Sequence, residues 1–153
     1  MENKSVQQIV KEKQLKGLGG WLILVAVGLL LAVPDKFNSI ITGIDAIKSY
    51  TLESTLIKVL IYGELVVNIV LLVINVILLY LFFSKKKSFV KTWLILLQIN
   101  LYTIALFDLA LLFIDDIDTG LPAFFNTFMA GIALLIWGSY ATKSIRVKNT
   151  FVN

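Results

Sequence analysis

Residues 57–83 read IKVLIYGELVVNIVLLVINVILLYLFF. Within this run stand one acid, Glu64, one base near its start, Lys58, and two amides, Asn68 and Asn75. Nearly everything else is apolar. About 20 apolar residues in a helix cross a hydrocarbon core of about 30 Å, so the stretch is long enough to span a bilayer. Its apolar residues lie on every side of a helix and leave no face for water.

Three more stretches read the same way. Leu18–Val33 (LGGWLILVAVGLLLAV) carries no charge and sets a first span at about 17–34, with Lys16 reaching back toward the headgroups. It is read as a retained helix and not a cleaved signal, because Pro34 and Asp35 spoil the cleavage pattern. A third span at about 90–114 contains Asp108, and a fourth at about 121–141 has no charge. The fold class predicted is an all-α membrane protein with four transmembrane helices, built as a single transmembrane domain over residues 1–153.

Between the first two spans, residues 35–56 form the longest loop. Phe37, Ile40, Ile41, Ile44 and Ile47 recur at helical spacing, while Asp35, Asn38, Asp45 and Lys48 face away. This predicts an amphipathic helix in the first outer loop, lying on the surface or over the bundle mouth. Val6, Ile9 and Val10 fit a short surface helix in the N-terminal tail, or a solvated tail. The acids Asp115, Asp116 and Asp118 lack the distal Glu of a calcium loop, and Asp118 or Thr119 is placed to cap the fourth helix ahead of Pro122.

Orientation follows from the basic residues. Eleven of the 14 lie in the N-terminal tail, in the turn Lys85–Lys91 or in the C-terminal tail. Short loops rich in Lys and Arg stay in the cytoplasm, so both termini are expected there. Trp21, Trp93 and Trp137 then fall at the same interface, where an indole is favoured. The positive balance is explained by anionic inner-leaflet lipids, at about 1 kcal/mol per basic residue near the surface. Nucleic acid is not an expected partner.

The chain has no Cys and no His among its 153 residues. That excludes a disulfide scaffold, a thiolate metal site and any Cys or His nucleophile or base. Neither a metal-ligand cluster nor a Gly-rich phosphate loop is visible, so no cofactor, no metal and no enzymatic activity are expected.

The candidate polar site lies inside the spans, where an ionisable side chain is unfavourable and points to function. Glu64, Asn68 and Asn75 fall within about 40° of one another around the second helix, and this stripe is expected to face the bundle interior. Gln98, Asn100, Thr103 and Asp108 spread over several directions of the third helix. By depth, Asn75 matches Gln98 and Asn100, and Asn68 matches Thr103, so a polar seam between the two helices is geometrically feasible. For the amides the competing role is plain interhelical hydrogen bonding, about 0.6 kcal/mol each.

Two further stretches are recognisable. KGLGGWLILVAVGLLL, Lys16–Leu31, with its Gly19-Gly20-Trp21-Leu22 core, resembles the opening of the bacterial DUF2569 family. The close, Ser144-Ile145-Arg146-Val147-Lys148-Asn149-Thr150-Phe151-Val152, is similar to that family's S-x-R-V-x-x-T-F ending, and Phe82–Phe89 is similar to its basic turn. The resemblance implies a small multi-spanning protein of the bacterial inner membrane and supplies no catalytic residues. It singles out Gly19, Gly20, Trp21, Arg146, Lys148, Thr150 and Phe151 as a candidate cytoplasmic interface. They serve there either as a shared docking surface or as two interfacial anchors.

The function expected is that of a non-enzymatic accessory, scaffold or regulatory protein acting through helix packing with a membrane-protein partner or as a homo-oligomer. The alternative is a small oligomeric transporter or channel subunit using the intramembrane acids. A wet cavity reaching Glu64 favours the second reading, and a dry, packed stripe the first.

Overall fold

Twenty of the residues from Ile57 to Phe83 are Ile, Leu, Val or Phe. At roughly 0.3–0.6 kcal/mol each they favour membrane insertion by about 6–12 kcal/mol, and one acid at the helix centre offsets about 3 of that. A helix there meets every backbone hydrogen bond internally, which lipid demands. The computed structural model describes residues 16–49, 55–111 and 120–152, and they are helical almost throughout.

The helices are α1, Trp21–Ser49; α2, Thr55–Phe83; α3, Ser88–Leu111; α4, Gly120–Lys143; and the short α5, Ile145–Thr150. Four of them contain stretches long and apolar enough to cross a membrane, Trp21–Lys48, Ile57–Phe83, Ser88–Ala110 and Phe124–Lys143. α1 packs along α2, α2 against α3, and α3 along α4. Large apolar side chains such as Leu31, Val66, Leu106, Phe128 and Leu135 stand exposed on the outer faces. A surface this apolar suits lipid as its solvent.

The first span differs from the sequence reading. The expected break after residue 34 does not occur, and α1 runs through Pro34 as one helix of 29 residues. Pro34 removes one N–H, which strips the Leu30 carbonyl of its helical donor, yet the chain beyond it stays helical. Ser39 and Thr42 donate their hydroxyls to the carbonyls of Asp35 and Asn38 one turn back, which satisfies those donors within the helix.

The face of this segment is split: Asp35, Asp45 and Lys48 stay exposed and Ile40 and Ile47 are partly buried, as expected, but the rest is turned. Phe37, Ile41 and Ile44 point outward. Asn38, Ser39 and Thr42 instead line a groove with Glu64 and Asn68 of α2. An amphipathic helix in lipid turns its apolar side to the solvent, the reverse of the rule in water. The expected helix in the N-terminal tail and the capping by Asp118 or Thr119 lie outside the described residues.

The buried core sits at one end of the bundle, the end that also carries the basic turn. Leu22, Val25 and Leu29 of α1 meet Leu78 and Phe82 of α2, Phe89 and Trp93 of α3, and Ala141 of α4. The turn Ser84–Lys87 is a Schellman cap. Lys86 N–H bonds to the Leu81 carbonyl and Lys85 N–H to that of Phe82, with Lys85 left-handed at φ 53°. This sharp reversal lets Phe82 and Phe89 meet edge to face, 5.2 Å apart.

Candidate functional site

Beyond that core the helices line a half-open cavity of about 760 Å³. Its walls come from α2, α3 and α4, with Lys36 of α1 at one side. On α2 the spacing of Glu64, Asn68 and Leu71 brings them to one face, as the stripe predicted. On α3, Asn100, Thr103, Phe107 and Asp108 turn inward. α4 contributes Asn126, Met129, Ala130 and Ala133, again one face, and the two alanines leave the space open. No lining residue lies closer to the basic end than Leu71, Asn100 and Ala133.

The polar groups on this wall differ in how they are held. Asp108 is 9% exposed, and one of its carboxylate oxygens accepts the Thr127 hydroxyl of α4 at 2.5 Å. Glu64 is exposed within the cavity and the adjoining groove, and neither Lys58 nor any other described residue pairs with it. Seven residues separate Glu64 from the start of the span at Ile57, so it sits about 10 Å down the helix. Asn68, one turn deeper, is 7% exposed and carries no hydrogen bond.

The expected seam between α2 and α3 is therefore a cavity wall and not a row of direct bonds. Asn75 donates to the Leu29 carbonyl of α1 at 3.1 Å, while its own carbonyl oxygen is buried without a partner. It shares a smaller space, about 250 Å³, with Asn100, Asp35 and Lys36. Gln98 is exposed and lines none of these three spaces. Lys36, Asn126 and Thr127 were missed by sequence reasoning. For the last two the signal was the pair Asn126-Thr127 in a span otherwise noted only for lacking charge. No third acid, His or Cys joins Glu64 and Asp108 to make a metal-binding group among the described residues.

The cytoplasmic-interface candidates come together at the basic end, where they grip one another. Ser144 caps α5, its side-chain oxygen accepting the Val147 N–H at 3.4 Å. The cap directs the chain back under the bundle. There the Thr150 hydroxyl accepts the Gly17 N–H at 3.0 Å and donates to the Gly17 carbonyl at 3.3 Å. Phe151 stacks on Phe89 at 4.4 Å and tilts against Phe82 at 5.6 Å. Arg146 lies over Gly19 so closely that a Cβ there would fall 2.5 Å from its Nη1. Gly17 and Gly20 hold positive φ, +94° and +57°, which favours glycine at both positions.

Thr150 and Phe151 are thus buried within the chain, while Lys148 points outward. Trp21 remains 61% exposed and meets Trp137 edge to face at 6.2 Å. Trp137 in turn lies 6.1 Å from Trp93. The three indoles share one level as expected, but Trp93 is in the core and does not face lipid.

Neither a curated protein nor a solved structure matches the chain. A family model described as "Protein of unknown function (DUF2569)" matches residues 15–152. That match takes in the glycine turn, all four membrane-length helices and the Arg146–Phe151 strap, and the chain belongs to the DUF2569 family.

Proposed function

We propose that this is a non-enzymatic protein of the bacterial cytoplasmic membrane that works by binding, as an accessory or regulatory subunit with both termini in the cytoplasm. The cavity carries the binding role, and because it reaches Glu64 it also favours transport; the accessory reading rests on the packed aromatic layer at the cavity's inner end. Polar groups in a span are unfavourable in lipid, and here they line a space large enough for a small molecule. The concentration of basic residues at the sealed end supports an outward-facing cavity. A continuous pore through one chain is not favoured, because Phe82, Phe89 and Trp93 fill the bundle below it. A carrier remains the second reading, favoured by the unpaired Glu64 in the span. It requires that aromatic layer to open.

The natural chain has no cysteine, so single replacements report cleanly. Thr103→Cys lies on the cavity wall. In intact cells it should react with a neutral, membrane-impermeant thiol reagent, whereas Val73→Cys on the lipid face should not. Reaction only in inverted vesicles would overturn the orientation. Silence in both preparations would overturn the accessible cavity.

A further inference from the structure

We infer that the cavity is a site for a small organic monocation, with Glu64 as its counter-charge and Asn68 as its polar anchor. The inference deepens the proposed function and rests on the cavity being accessible.

Charge on the wall is unbalanced. Glu64 and Asp108 face one ammonium, that of Lys36, with which neither pairs. Asp108 already has the Thr127 hydroxyl on one oxygen, so its carboxylate is partly satisfied and fixed in place. Glu64 has no such partner. A charge within a membrane span is unfavourable, and a bound cation offsets it.

Asn68 supplies an independent observation. Its side chain is more than nine-tenths buried, lines the same cavity one helical turn from Glu64, and has no hydrogen-bond partner. Buried amides are nearly always bonded, so an unpartnered one aimed into a cavity marks a place where something else supplies the bond. Its carbonyl oxygen can accept from an ammonium N–H while Glu64 balances the charge.

The rest of the lining decides between a bare metal ion and an organic cation. Glu64, Asn68, Asn100, Thr103, Asp108 and Asn126 do carry oxygens, but no three acids, His or Cys group as metal ligands among the described residues. Leu60, Ile61, Val67, Phe107 and Met129 between them are apolar. A hard cation needs six or more oxygens around it, whereas an alkylammonium buries its carbon body against such a wall. Phe107 presents an aromatic ring, which also favours a cation nearby. The volume lies within the range of pockets that hold small molecules. An anion would face two carboxylates and is rejected.

Three methanethiosulfonates of similar size, neutral, cationic and anionic, test this on Thr103→Cys in intact cells. Relative to their rates with a free thiol, the cationic reagent should outrun the anionic one by at least about tenfold. Adding Glu64→Gln should abolish most of that preference while the neutral rate stays unchanged, which shows the variant is folded. Lys36→Gln should raise the preference. Butylammonium, which carries N–H donors, should slow the neutral reagent in the Thr103→Cys protein and not in the Glu64→Gln background. Normal labelling by the neutral reagent with no charge preference, or a preference that survives Glu64→Gln, overturns the cation site and leaves the accessible cavity standing. A thiol silent to all three reagents overturns both.

Discussion

The two ends of this bundle are built from the same four helices and follow opposite rules. At the basic end, eight aromatic rings from Trp21 to Phe151 form one chain of contacts, and a C-terminal strap ties the N-terminal glycine turn to the α2–α3 reversal. At the other end, Asn, Thr, Ala and two acids stand among apolar side chains such as Ile61, Phe107 and Met129, and the helices leave a cavity. In lipid there is little hydrophobic drive between helices, so van der Waals packing and hydrogen bonds decide where they close. Large interlocking rings close one end. Small and polar side chains keep the other apart. The comparison teaches where the partners lie: Thr150 and Phe151 of the strap are buried and held within the chain, whereas Glu64 and Asn68 in the other half have none among the described residues.

The contrast can be broken most decisively at Phe89. It is fully buried and contacts Phe82, Trp93 and Phe151. Phe89→Ala should lose about 3–5 kcal/mol in reversible unfolding from mixed micelles, because a large ring leaves a cavity among rigid neighbours. A loss under about 1 kcal/mol would mean that end is loosely packed. Thr150→Val comes next. It keeps the shape and deletes both bonds to Gly17. The expected loss is about 1–2 kcal/mol, with proteolysis of the C-terminal strap accelerated; an uncut, fully stable variant would make the strap ornamental.

A smaller effect, of the opposite sign, is expected at Lys85, which occupies the left-handed position of the helix cap. Lys85→Gly should gain about 0.5–1 kcal/mol in the same unfolding assay by relieving that conformation. A loss there would show the Lys side chain stabilises the turn in its own right. The smallest shift belongs to Glu64→Gln. It breaks no bond among the described residues and removes an intramembrane charge, so stability should be unchanged or raised by less than about 1 kcal/mol. A variant that fails to accumulate would make Glu64 a structural partner and not a ligand group.

How much of this was legible in the sequence depends on the kind of interaction. The four spans and the grouping of basic residues rest on length, hydropathy and charge, and the spans show in the helices. The Glu64–Asn68 stripe was legible from helical periodicity. The direction of the 35–48 face was not, because periodicity finds two faces without saying whether the solvent beyond is water or lipid. Pro34 reads as a stop in a water-soluble helix, yet here the helix continues past it. Partners of polar groups were equally hidden. Asn75 bonds a carbonyl of α1, Asp108 a hydroxyl of α4, and Gln98 turns away from every cavity described, because each outcome depends on helix rotation fixed by distant packing. The docking of Thr150 on Gly17 joins residues 133 positions apart, a contact that spacing alone cannot disclose.

A cysteine walk down one face of α2 tests the two-ended account most directly. Asn68, Leu71, Asn75 and Leu78 lie at successive depths, the first two on the cavity and the last in the sealed core. Replaced one at a time by cysteine in folded protein, they should react with a small neutral thiol reagent added from outside at Asn68 and Leu71, far more slowly at Asn75, and not at all at Leu78. Equal reactivity along the whole face, or reaction at Leu78 with silence at Asn68, would contradict it.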